Sequence, residues 1–184
     1  MLKKQKVMKK VLMVVSMAGL LLATTTLFAQ EKKEDKSKRP SPPAKVNQTI
    51  ASGAVISIDY SQPSVKGRTI GKDLEPKGDA VWRTGANEAT VFETSKAVKV
   101  NGQALPAGKY GLFTISGSPQ WTMIFNKTWN QWGAFDYKMA DDILRVKANA
   151  GKAATFAEKM TFTIGKDGTV TLLWGDNKVD FKVD

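Results

Sequence analysis

Along most of the chain the hydrophobic positions recur at every second residue. Ile56, Ile58 and Tyr60 alternate with Ser57 and Asp59, Met160, Phe162 and Ile164 with Thr161 and Thr163, and Val179, Phe181 and Val183 keep the same rhythm near the end. A period of two places the apolar side chains on one face of an extended strand and the polar ones on the other. Residues 110–115 and 121–125 are more continuously apolar, which fits strands covered on both faces. Shorter strands are predicted over 80–83, 89–94, 98–100, 143–146 and 170–172. Between them stand turn formers: Asn101-Gly102, Ser116-Gly117-Ser118-Pro119, Lys166-Asp167-Gly168 and Gly175-Asp176-Asn177. Asn-Gly after a short alternating run is the strongest of these signals, because both residues accept the positive φ of a tight hairpin. No segment sustains a helical period, and only 136–142 and 152–158 have room for a short helix. Nine or ten short strands separated by turns predict an all-β domain over residues 47–184, an antiparallel β-sandwich or a jelly-roll-like fold.

The first 46 residues follow other patterns. Residues 1–10 carry five lysines, and 11–29 are apolar apart from Ser16 and the run Thr24, Thr25, Thr26, with the small Ala29 before Gln30. A basic start, an apolar core and a small residue at the cleavage point are the pattern of a signal peptide over 1–29. An apolar stretch this long nearly spans a bilayer, so an uncleaved anchor is the alternative, the one route by which the protein would touch a membrane. Ala18, Gly19, Ala23 and the threonines weaken such a helix and favour cleavage after Ala29. Either way the domain is expected outside the cytoplasm: periplasmic, on the cell surface or secreted. Residues 30–46 are charged and then proline-rich, with no large apolar side chain before Val46. They are expected to form a disordered linker, since nothing there offsets the entropy of ordering the backbone.

Composition narrows the chemistry. The 184 residues include no cysteine and no histidine, so disulfides, thiolate nucleophiles, imidazole acid–base catalysis and His- or Cys-based metal sites are excluded. The net charge of +11 invites a nucleic-acid reading, but five positive charges lie in residues 1–10 and a further net three in 31–45. The domain itself has seventeen basic against fourteen acidic side chains, with no stripe to track phosphates. No nucleic-acid partner, cofactor or metal is implied.

Several strings carry a family resemblance: Tyr60-Ser61-Gln62-Pro63 with Lys66-Gly67-Arg68, Val81-Trp82-Arg83-Thr84-Gly85-Ala86-Asn87-Glu88-Ala89-Thr90, Leu105-Pro106-Ala107-Gly108-Lys109-Tyr110-Gly111-Leu112-Phe113, Trp132-Gly133 with Tyr137, and Asp142-Ile143-Leu144-Arg145-Val146. Over about residues 48–184 the chain resembles domain-of-unknown-function family 2911, a group of exported bacterial proteins. The resemblance implies a β-rich periplasmic or secreted domain and no particular activity.

Two segments hold candidate chemistry. In the first, Arg83 can offer a bidentate fork to a carboxylate or phosphate, with Asn87 and Glu88 as a polar rim. The plainer reading makes Trp82 core, pairs Arg83 with Glu88 or Glu93, and leaves Asn87 to close a turn. Arg68, after Gly67, is a further candidate for ligand contact. In the second, Trp129 and Trp132 stand among amide side chains, Phe135 and Tyr137, a combination that suits stacking on a sugar or peptide; its plainer reading is a cap over an open end of the sheet. With His and Cys absent, catalysis would have to use carboxylates, Lys, Tyr, Ser/Thr or Arg; the carboxylates Glu88, Glu93, Asp136, Asp141 and Asp142 are the best candidates, and a glycosidase needs two of them facing one cleft. Asp141-Asp142 lack calcium-loop spacing. The sequons at Asn47 and Asn126 are incidental in a bacterial protein. The expected function is a non-catalytic binding or structural module of the envelope, for a polar ligand, a glycan or a protein partner. The alternative is a carboxylate-dependent hydrolase of cell-wall or extracellular glycans.

Overall fold

The structure, a computed structural model, describes residues 34–184. The expected signal peptide and the first residues of the expected linker lie outside the described residues. Nine strands follow in order: β1 (Pro43–Thr49), β2 (Val55–Ser61), β3 (Thr90–Thr94), β4 (Val98–Val100), β5 (Gln103–Leu105), β6 (Gly108–Ile115), β7 (Gln120–Asn126), β8 (Asp142–Ile164) and β9 (Thr169–Lys182). Seven form one antiparallel sheet in the order β1-β2-β3-β6-β7-β8-β9, and β4 and β5 form a separate hairpin. The all-β antiparallel fold read from the sequence is the one found. The long sheet curls into a half-barrel, bringing the far part of β8 back beside the β2 end, where Val65 N donates to Glu158 O at 2.8 Å and Met160 N to Pro63 O at 2.9 Å.

The alternation sets the inside. Ile56, Ile58, Phe92, Leu112, Met123, Phe125 and Leu172 point into the curl and are at most 1% exposed. Asn101 and Gly102 take φ of 45° and 81° and join β4 to β5 as the hairpin signal predicts. A second, smaller cluster sits on the outer face: Ala89, Phe113 and Ile124, with Val81, Ile115, Ala134 and Tyr137 against them.

Four expectations need correcting. Residues 152–158 are strand rather than helix. The alanine-rich run continues β8, which pairs with β9 across two irregularities, between Lys152 and Ala157 and between Ala157 and Thr161; partner pairing overrides a weak local helix preference. For the same reason the strands read separately over 143–146 and 160–164 are parts of one strand, as are those on either side of Gly175. The segment 136–142 holds only a 3-10 turn, Met139–Asp141. The linker, finally, does not extend to residue 46: Pro43–Val46 are already strand, pairing with Ile58–Ser61, and residues 36–42 rest on the domain through side chains described below.

Candidate functional site

Trp82 is paired with Thr114 of β6, while Thr90 at the start of β3 is paired with Leu112 of the same strand. Two residues of β6 are therefore matched by eight of the neighbouring chain, and 84–89 leave the ladder as an excursion. Its root is closed by Thr90 N donating to Arg83 O at 3.1 Å and Thr90 Oγ1 donating to Thr84 O at 2.8 Å. Trp82 points inward, 3% exposed, with its Nε1 donating to Gly85 O at 3.0 Å and its ring edge-on to Trp121 at 6.4 Å. Strand alternation then turns Arg83 to the outer face beside Phe113, and the register continues that row through Ile124 of β7 to Arg145 of β8.

A strap, residues 127–141, crosses this face. A Cβ at Gly111 would stand 3.1 Å from Thr128 O, so glycine there lets the strap lie on the sheet. Lys127 N donates to Asp141 O at 2.9 Å and closes its base. Asn126, fully buried, donates from Nδ2 to Lys138 O and to Asp142 Oδ1 (3.0 and 2.8 Å), so its side chain is committed to the strap base. Tyr137 OH donates to Asp142 Oδ2 at 2.7 Å, and Arg145 reaches both Asp142 (2.6 Å) and Tyr137 (2.5 Å). Burial, reinforced by the Asp142 carboxylate, pushes the Tyr137 phenol up to about 12. Midway, Trp132 bridges to Glu88 of the excursion, with Ala89 N donating to Gln131 O and Gly133 N to Asn87 O.

The excursion and the strap therefore bring together Arg83, Asn87, Glu88 and Trp132. Glu88 is not Arg83's partner. It accepts from Lys36 Nζ at 2.7 Å and from Arg39 Nη1 at 3.0 and 2.8 Å, and the Arg39 guanidinium also lies 5.6 Å from the Trp132 ring centroid. Desolvation would raise the Glu88 carboxyl, but the hydrogen bonds from Lys36 and Arg39 overcome it and hold the group down at about 2. Asn87, at φ 57°, donates from Nδ2 to Ser41 O at 2.9 Å. Glu93 pairs with Lys109 at 3.6 Å instead of with Arg83, and Lys109 lies over the Trp129 ring. Trp129 is thus near the site's edge. Arg68 is apart from it, exposed and hydrogen-bonded to Val65 O and Ser64 O of its own turn.

Arg83 is left half-buried with its Nε shielded from solvent and without an acceptor. Burial pushes its guanidinium below the ordinary arginine value, opposed by the field of Glu75. Gln131, which the sequence reading passed over, is 8% exposed; its amide nitrogen donates to Thr128 O at 2.7 Å while Oε1 is buried with no donor. Around them stand exposed apolar side chains: Trp132 (52%), Phe135 (82%) and Met139 (67%).

Carboxylate pairs are engaged elsewhere. Glu88, Glu93, Asp141 and Asp142 are all in ion pairs, and Asp136 is exposed. A cleft of about 420 Å³ between the 70–79 loop and the 116–117 turn has Asp79 as the one carboxylate among its lining residues. A pocket of about 180 Å³ beneath residue 36 has two, Asp59 and Glu88, both bound to lysine or arginine. Among the described residues no three side chains are grouped to hold a metal ion.

The model of the family described as "Protein of unknown function (DUF2911)" matches residues 41–183. The chain belongs to this family. The DUF2911 match takes in β1, the excursion and the strap, so the whole outer-face arrangement lies within the family's span. No curated protein and no solved structure matches the chain.

Proposed function

We propose that this DUF2911 protein is an exported, non-catalytic binding module of a bacterial envelope, which holds a polar ligand or glycan on the outer face of its sheet. The observation that carries this reading is Arg83: a guanidinium half removed from water, with no counter-charge within ion-pair distance, bordered by exposed aromatic side chains. A fold that satisfies Arg39 and Arg145 with carboxylates leaves this one open, and uncompensated buried charge is retained where it serves a ligand more readily than where it serves packing. The lysine-rich, apolar start of the sequence supports export. The hydrolase reading has no comparable support, because the perturbed carboxylates Asp35, Glu88, Asp141 and Asp167 are all lowered, whereas a general acid needs its pKa raised.

The test is a saccharide and peptide array probed with the mature protein, Trp132→Ala and Arg83→Gln. One ligand class retained by the native protein and lost by both variants is expected. An array on which the three proteins behave alike would end the binding reading, and release of shortened saccharides during incubation would replace it with the hydrolase.

A further inference from the structure

We propose that the ligand of this site is an acidic saccharide whose carboxylate pairs with Arg83; the proposal rests on the binding-module reading and adds the chemical class. The arginines and most of the lysines around the outer face have acceptors: Arg145 has Asp142, Arg39 and Lys36 have Glu88, Lys109 has Glu93, and Lys127 has Asp141, while Lys138 of the strap is exposed to solvent. Arg83 is the arginine of this face that keeps an unused edge, and a guanidinium fork matches a carboxylate or a phosphate; the carboxylate is favoured by Gln131 and Gly133, which ask for a neighbouring hydroxyl and a flat ring.

The second observation is Gln131. Its buried Oε1 lacks a donor, and a carboxylate, which only accepts, cannot supply one. A ligand that reaches both side chains must therefore carry a hydrogen-bond donor as well as its acid group, as a sugar with a ring carboxylate and hydroxyls does. The third is Gly133, at φ 64°. A Cβ there would stand 3.5 Å from Arg83 Nη1 and 3.1 Å from the Phe135 ring, so the guanidinium and an exposed aromatic ring both approach the open side of this glycine. Sugar rings lay their C–H faces on such rings, and Trp132 adjoins on the same segment. An acidic peptide offers the carboxylate and an amide donor but no rigid flat face between them, so a uronic-acid type of ring is the better match. Both orphaned atoms are shut off from solvent, so binding requires the carboxylate to meet the accessible edge of the guanidinium first and residues 131–133 to shift to admit the hydroxyl.

Titration calorimetry of the mature protein with tri-galacturonic acid, its methyl ester and an aspartate-rich hexapeptide tests this. The acid is expected to bind, with the ester and the Arg83→Gln variant each weaker by about tenfold or more, the loss of one charge-assisted pair. Arg83→Gln should melt at or above the native temperature, since it removes a buried charge without a partner. Equal binding of acid and ester, lost in Trp132→Ala, would overturn the carboxylate while leaving the binding module standing. Tighter binding of the hexapeptide would overturn the saccharide. A lowered melting temperature in Arg83→Gln would show a structural arginine, and no binding of any probe would also reject the proposal, leaving the array to decide the broader reading.

Discussion

Trp82 and Arg83 are neighbours in sequence and face opposite sides of the sheet, and their energetics should differ accordingly. Trp82 is enclosed, edge-on to Trp121 and hydrogen-bonded through its indole nitrogen. Trp82→Ala leaves both a cavity and an unpaired Gly85 carbonyl, and should cost about 3–5 kcal/mol in urea denaturation; a cost below about 1 kcal/mol would mean that the wall collapses into the space. The identity of these residues as core and candidate site was legible from the string around them. The state of Arg83 was not. Glu88 lies five positions along the chain and looks like its partner, but the excursion turns that carboxylate toward Arg39, far away in sequence. Gln131 gave no signal either, because an orphaned amide oxygen is a property of the folded surroundings and not of the residue type.

At the scale of elements, the segment holding Lys36 and Arg39 is the clearest departure from the sequence reading. Its composition is that of a linker, and composition reports only on whether a segment can bury apolar surface by itself. Polar contacts hold it instead, among them Lys36 and Arg39 to Glu88, Asn87 to Ser41 O and Gln62 N to Pro42 O. Its hold should depend on pH. The Glu88 carboxyl lies at about 2 against an ordinary value of 4.5, so the stabilisation is fully present above about 4.5 and is lost as pH falls toward 2. With Glu88 partly exposed and therefore screened, the effect is about 1 kcal/mol, or about 2–4 °C in melting temperature. Glu88→Gln should melt lower than the native protein at pH 7, and the gap should close on acidification; a gap constant from pH 7 to 2 would place the stabilisation elsewhere. Strand β8 was divided in the sequence reading because its bulges interrupt the alternation at 152–161. The continuity belongs to the pairing with β9, which no local window contains.

For the whole molecule, the charge is segregated: residues 1–10 and 31–45 hold most of the excess, and residues 46–184 are nearly balanced. If the export reading is right, N-terminal sequencing of the protein from the envelope fraction will begin at Gln30; an intact Met1 in the membrane pellet would indicate an anchor. The architecture as a whole was legible because a period of two survives whatever the sheet curls around, whereas the curl itself and the order of the strands depend on contacts between residues a hundred positions apart, such as Phe162 N donating to Tyr60 OH. The excursion at 84–89 has a consequence for how such a protein can change. It leaves the line of β3 at Arg83 and returns at Thr90, and the strap leaves at Asn126 and returns at Asp142, with a single register irregularity at its base, between Phe125 and Asn126, before the β7–β8 pairs run on regularly. A residue gained or lost inside β3 would swap its buried and exposed sides, while one gained or lost at the tip of either loop would leave the framework untouched. Lineages of this fold can thus remodel the outer face by loop insertion and deletion alone, at little risk to foldability.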